Sequence, residues 1–358
     1  MSTALTEQAV RDALADFTDP ETGRSVTKMG QVGEIHIDGT SVRVQLKLTS
    51  WAGPIHDEIA QRCQSRLKAK LNAAESVVVE VVPHERAPDK IGQIGLAAKS
   101  VIAVGSGKGG VGKSTVAASI AFGLSKAGAK VGLMDADVYG PSVPHLLGVD
   151  QRPTAVDKRL QPIESDGLRV MSMGFLVPKE EAVIWRGPML HGAITQFLRD
   201  TDWGELDYLI IDMPPGTGDI ALTLSQMLPL TGAVVVCTPQ DVALLDAVKA
   251  VAMFRKVKIP VLGIVENMSY FLCPDNGKRY DIFGHGGAKQ KAAELSVPFL
   301  GEAPIEIGIR ERGDEGRTAD NLNDEATAEV FQGICKRIVQ GIADAHAEAP
   351  PMPSLPTL

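Results

Sequence analysis

Residues 107–115 read Gly-Lys-Gly-Gly-Val-Gly-Lys-Ser-Thr. The apolar run Val101-Ile102-Ala103-Val104 precedes them, and a helix-forming stretch, 116–121, follows. Strand, glycine loop and helix is the setting a phosphate-binding loop needs. The glycines, Gly107, Gly109, Gly110 and Gly112, lack the Cβ atoms that would keep backbone N–H groups from closing around phosphate oxygens. The new helix turns its positive end to the anion. Gly107, Gly112, Lys113 and Ser114 satisfy the spacing G-x-x-x-x-G-K-[ST]. Lys113 is expected to neutralise the β- and γ-phosphates of ATP, and the Ser114 hydroxyl to coordinate Mg²⁺. The bland alternative is a glycine-rich turn without a ligand. The flanking strand and helix weigh against it, so the backbone from Gly107 through Val111 to Thr115 is the expected nucleotide cradle.

Two acidic segments can complete such a site. Asp135-Ala136-Asp137 follows the second apolar strand of this region. In an open parallel sheet, ligands gather at the carboxyl ends of strands. Two carboxylates there suit a metal shell and a group that orients water; a polar turn with one helix cap is the competing reading. Leu209-Ile210-Ile211-Asp212 is an apolar run ending in aspartate. It fits a strand whose terminal Asp212 holds Mg²⁺ through water, although many buried strands end this way. Asn267 closes another apolar run and reads equally well as a turn residue. Cys273 lies in a turn marked by Pro274 and Asn276-Gly277, where a thiol is accessible. His285, in a glycine-rich turn, reads as structural or solvated.

Lys108, one residue into the loop, would be a solvated charge at most loop positions. Here the stretch resembles the deviant phosphate loop of the MinD/Mrp class of P-loop ATPases. Pro214-Pro215-Gly216-Thr217-Gly218-Asp219 resembles the switch segment of Mrp-type ATPases. Trp185-Arg186-Gly187-Pro188-Met189, Trp203-Gly204-Glu205-Leu206-Asp207-Tyr208 and Phe283-Gly284-His285-Gly286-Gly287 extend the match. From about 100 to 316 the chain is similar to the Mrp/ApbC family of iron–sulfur cluster carriers. The resemblance implies an ATP-sandwich homodimer in which Lys108 reaches the partner's nucleotide. It implies slow ATP hydrolysis, with Lys108 and Lys113 at the phosphates and Asp137 at the attacking water. It also implies Asp135 in the Mg²⁺ environment and Asn267 at the adenine. The cargo it implies is an iron–sulfur cluster, of the 4Fe-4S type, received from the assembly machinery and passed to apoproteins. Relatives usually carry C-x-x-C after Asn-Met-Ser-Tyr. This chain has Cys273-Pro274-Asp275-Asn276, so a dimer offers two thiolates rather than four, and the cluster on Cys273 is expected to be labile.

The chain has 358 residues and suits two domains. Its net charge of −8, without a concentrated basic stripe, argues against nucleic-acid binding. The N-terminus shows no signal peptide and no apolar run approaches a membrane span, so a cytoplasmic location is expected. The four cysteines are scattered, as free thiols or metal ligands in a reducing compartment.

Residues 1–82 read as a small α/β domain. A helix spans 7–17, a β-hairpin turns at Asp38-Gly39, a helix carries Ile55, Ile59, Cys63, Leu67 and Leu71 on one face, and a strand covers 77–82. The order resembles the small domain that precedes the ATPase in Mrp-type proteins. Residues 83–97 read as a linker. An ATPase domain follows over 98–345, with strands expected at 101–104, 131–134, 168–171, 208–211, 233–237 and 261–265. Continuously apolar strands alternating with helices imply a parallel sheet covered on both faces. Residues 346–358 read as a disordered, proline-rich tail.

The fold class is therefore α/β, a parallel-sheet P-loop ATPase with a smaller N-terminal α/β domain. The expected function is ATP-dependent iron–sulfur cluster carriage; the alternative is a dimeric ATPase regulator or scaffold that no longer binds a cluster. A C-terminal amphipathic helix, which a membrane-positioning ATPase needs, is absent from 350–358. A reductase of the nitrogenase iron-protein type needs cysteines beside the two acidic segments, and neither contains one.

Overall fold

In a computed structural model of the chain, residues 5–175, 187–216 and 218–349 are described. Three sequence expectations lie outside them in part: the proline-rich tail, at 350–358, the family-like segment at Trp185-Arg186, and the switch segment, at Thr217. The chain divides into two compact units. One holds the residues up to Arg86 together with those from Val339 on; the other is Ala87–Ile338.

In the first unit, the alternating run Ser41–Leu48 pairs antiparallel with Val32–Asp38 around Asp38-Gly39. Gly39 takes a positive φ of 57°, which the tight turn requires. Ser76–Pro83 adds a parallel strand beside Ser41–Leu48. Val42, Val44, Leu46 and Leu48 point to one face, and all are buried. The helix His56–Lys70 covers that unit's core with Ile59, Cys63 and Leu67. Cys63 is therefore a core residue, and burial pushes its thiol up to about 12. The first helix, Glu7–Ala13, is shorter than expected.

The second unit is built on a sheet of nine strands among the described residues. From one edge the path runs Phe299–Glu302, Val261–Glu266, Gly232–Cys237, Leu96–Gly105, Leu206–Asp212, Val131–Asp135, Leu168–Ser172 and Ile163–Ser165. Adjacent pairs are parallel except at Ile163–Ser165. The six expected strands are present. Phe299–Glu302 is an additional one, too short and too glycine-containing to stand out by pattern. Strands such as Leu206–Asp212 and Gly232–Cys237 are buried at every position, in keeping with their largely apolar sequences, and the first buries Asp207 and Asp212 as well.

Two boundaries differ from the sequence reading. Within 83–97, Lys90–Ile91 pairs antiparallel with Leu96–Ala97, closing a hairpin through Gly92 and Gly95 at positive φ. Half of the expected linker thus belongs to the sheet. The last helix runs Glu325–Glu348, beyond the expected end at 345. Its polar last turn hides a helix whose buried face, including Phe331, Ile338 and Ile342, is apolar.

Candidate functional site

The strand Leu96–Gly105 ends at the centre of the sheet, and the helix Lys113–Lys126 starts eight residues later. The loop between them bends at Gly110 and Gly112, with φ of 80° and 77°. A Cβ at Gly112 would overlap the Asn267 amide, and one at Gly107 the Asp246 carbonyl. Those two positions need glycine for close approach as well as for conformation. Gly109 and Gly110 are exposed, whereas Val111 is buried. Ser106 Oγ donates to Lys108 O at 2.8 Å, and Gly216 N donates to Ser106 O at 2.9 Å, which ties the loop to the expected switch segment. A cleft of about 280 Å³ opens here, lined by residues including Lys108, Lys113, Ser114, Thr115, Asp137 and Pro215.

Strand register brings the acidic groups to this cleft. Asp212 pairs with Val104 on one side and with Asp135 on the other. Lys113 Nζ is buried among them. It forms an ion pair with Asp212 Oδ1, stands 3.8 Å from Asp137 Oδ2, and donates to Ser114 Oγ at 3.2 Å. Asp212 Oδ2 is buried without a hydrogen-bond partner. Burial raises the Asp212 pKa, and Lys113 works against that rise. The unsatisfied oxygen, the adjacent Ser114 hydroxyl and the open cleft suit Mg²⁺ or a water bound to it.

Asp137 is set to face the cleft: its Oδ1 accepts from Tyr139 N and Gly140 N, both at 3.2 Å. Asp135 differs. Its carboxylate accepts from Asp137 N at 3.0 Å, Val143 N at 3.2 Å and Ser172 Oγ at 2.9 Å. Burial and the neighbouring Asp212 push it up to about 7, against those three donors. Asp135 therefore braces the turn that carries Asp137. Lys108 is half-buried and forms no ion pair among the described residues.

Asn267 is buried and faces the loop: its Nδ2 donates to Val111 O at 2.8 Å. Glu266, beside it, was missed by sequence reasoning. Fully buried, it accepts from Ser269 Oγ at 2.6 Å and Ala288 N at 2.7 Å, joining the end of one strand to the start of the helix Gly287–Glu294. A charged residue closing an apolar run was the available signal.

Cys273 stands apart from this cluster, in a hairpin made by Phe271–Leu272 and Arg279–Tyr280. Cys273 N donates to Lys278 O at 3.0 Å, Gly277 N to Cys273 O at 2.8 Å, and Lys278 N to Asn276 Oδ1 at 2.9 Å. Asn276, at the position where the family pattern led us to expect a second cysteine, shapes the turn. Cys273 is half-exposed, whereas Cys63, Cys237 and Cys335 are buried. Burial pushes each of those three thiols up to about 12, far from the thiolate form that binds metal.

A parallel sheet with a lysine-bearing glycine loop at its centre and an aspartate on the adjacent strand defines a P-loop nucleoside-triphosphatase. Residues 97–339 match the family described as NUBPL iron-transfer P-loop NTPase, and residues 7–81 match the family described as iron–sulfur cluster assembly protein. The chain belongs to this iron-transfer P-loop family. An iron–sulfur cluster carrier protein of Deinococcus radiodurans is 48% identical over 322 residues, covering 89% of this chain and 91% of that protein. The one of Escherichia coli K12 is 43% identical over 313 residues, covering 86% and 84%. A nucleotide-binding protein of Archaeoglobus fulgidus, solved in complex with ADP, is 43% identical with a TM-score of 0.58, covering 65% of this chain and 92% of that one. The MinD cell-division ATPase of Pyrococcus furiosus, at 23% identity and a TM-score of 0.51, covering 67% and 98%, shares the fold. Among the described residues, no helix is long and apolar enough to cross a membrane.

Removing the Lys113 ammonium strands Asp212 in the interior. Lys113→Ala is expected to cost about 3–5 kcal/mol at pH 8. The Asp212 pKa is raised in the folded state, so a proton on it favours folding below the unfolded carboxylate range. That contribution is lost as pH rises through the folded value. The cost should therefore be smaller at pH 5 than at pH 8, the direction in which a carboxylate with a raised pKa gains its proton. Urea denaturation of both proteins at the two pH values checks this; an equal cost at each contradicts it.

Proposed function

We propose that this chain is an iron–sulfur cluster carrier: it holds a cluster on Cys273 and hands it to apoproteins, while ATP is bound and slowly hydrolysed in the P-loop cleft. The single observation that carries the cargo half is Cys273 itself, the one half-exposed thiol of the four, on its own hairpin in a chain of this family. In a homodimer the two Cys273 thiolates supply half of the usual four ligands of a 4Fe-4S cluster. Small thiols, Asp275, His285 or the recipient complete the set, which makes the cargo easy to release. The unit matching the assembly family is suited to meet the assembly machinery. No role is assigned to nucleic acid or membrane, and a cytoplasmic setting fits free thiols.

At the cleft, Lys113 turns from its carboxylates to the β- and γ-phosphates, and the loop N–H groups from Gly107 to Thr115 hold the phosphate oxygens. Ser114 and, through water, Asp212, with Asp135 behind them, would hold Mg²⁺, which would supply charge neutralisation at those oxygens. Asp137 orients the water whose oxygen bonds to the γ-phosphorus as the bond to the β–γ bridging oxygen breaks. Lys108, free of an ion pair, serves the partner's nucleotide. Asn267 braces the loop through Val111 O and, by the family pattern, borders the adenine. The turn role of Asn276 favours one second reading, an ATPase scaffold that has lost its cargo.

Lys108→Ala should keep nucleotide binding yet lose about 10³-fold in turnover, as expected for a cation acting on the transition state; unchanged turnover contradicts that role. Anaerobic reconstitution with iron and sulfide, followed by metal counts and visible absorption, separates carrier from scaffold. Wild type, Cys63→Ala and Cys335→Ala should take up a cluster, and Cys273→Ala should not. Equal iron in wild type and Cys273→Ala establishes the scaffold instead.

A further inference from the structure

Cys273 stands on a hairpin too small to hold itself. Its strands have two residues each, and Leu272 and Tyr280 are exposed, so little apolar surface fixes it. Backbone bonds at its base help: Ser269 N donates to Ala303 O, and Ile305 N to Tyr270 O. The far strand depends on one side chain, Arg279. Its Nε donates to Asp281 Oδ1 at 2.8 Å. Its Nη2 donates to His285 Nδ1 at 2.6 Å and to Glu302 Oε2 at 3.3 Å. Its guanidinium lies over the Tyr270 ring, 4.1 Å from the centroid. Glu302 ends the edge strand of the central sheet, and Tyr270 follows the strand next to it. One residue thus binds the far strand of the hairpin to the end of the sheet's edge strand, to the Tyr270 ring at the hairpin's base and to the loop before the helix Gly287–Glu294.

Ligand atoms of Glu266, His285 and Glu302 lie within 4.8 Å of one another, a grouping of the kind that can hold a metal. Arg279 supplies the cation that His285 and Glu302 face. Its bond to Nδ1 places the imidazole proton of neutral His285 on Nε2. A planar fork is needed to reach Asp281 on one side and Glu302 with His285 on the other; the single ammonium of lysine cannot span both.

We propose that Arg279 is the positioning residue for Cys273, clamping the hairpin to the sheet and setting how its thiol is presented. The consequence for cargo rests on the reading of Cys273 as the cluster ligand, but the clamp is testable without cargo. The test uses the full chain, free of metal, and two measurements. Hydrogen exchange follows the segment 270–280, and iodoacetamide alkylation of Cys273 is timed by mass spectrometry. Arg279→Lys keeps the charge and removes the fork. It should raise both the hairpin exchange rate and the alkylation rate about tenfold, the scale of losing charged hydrogen bonds, with exchange at the P-loop unchanged. Glu302→Gln, which removes one acceptor, should raise both about threefold. Cys63, Cys237 and Cys335 remain unmodified if the fold is intact. If Arg279→Lys exposes them, Glu302→Gln alone decides. Rates within twofold of wild type in a folded variant, by either measurement, overturn the proposal. Failure of iron uptake in wild type would instead overturn the carrier reading and leave the clamp standing.

Discussion

One lysine ammonium meets two buried carboxylates, Asp212 and Asp137, with a third, Asp135, beside Asp212, and the centre of the larger unit is arranged around that imbalance. Asp135 and Asp212 are neighbours by strand register, Asp137 follows two residues on, and Lys113 enters from the first turn of the P-loop helix. A single charge cannot satisfy all of them, which is why burial and mutual repulsion raise the pKa of Asp135 and of Asp212. Such a cluster gains from additional cationic charge. The unsatisfied Asp212 oxygen marks where that charge is wanted. The same imbalance explains Asp135, whose three hydrogen bonds spend its charge on fixing the turn beneath Asp137.

A different constraint governs the cysteines. Three are packed into cores, where a thiolate is too costly to form; the fourth is set on a small hairpin at the periphery of the sheet. The chain between the two sites is short. Asn267 touches the phosphate loop, Glu266 locks the adjacent helix, and the hairpin begins four residues after Asn267.

Much of this was legible in the residues themselves. The glycine loop, the alternating hairpin around Asp38-Gly39 and the continuously apolar strands are local patterns, so their elements follow directly. What stayed hidden depends on contacts distant in sequence. The Asn267 amide meets a carbonyl 156 positions away, and no local feature distinguishes that role from a turn residue. The bracing of the turn by Asp135 depends on donors from Asp137, Val143 and Ser172, and the last of these lies 37 positions away. Phe299–Glu302 is too short to show a period, and Lys90–Ile91 becomes a strand only because Leu96–Ala97 offers it an edge. Arg279 carries no motif; its importance comes from Glu302, Asp281 and His285 meeting it at once.

The most direct test of carriage is transfer itself. The chain is reconstituted anaerobically, freed of unbound iron and sulfide, and mixed with an apo-ferredoxin, after which the two proteins are separated and their iron and visible spectra recorded. The account predicts that the ferredoxin gains the iron the chain loses, and that protein prepared the same way from Cys273→Ala delivers none. A ferredoxin that stays colourless while the chain keeps its iron, or that fills equally from Cys273→Ala, would contradict it.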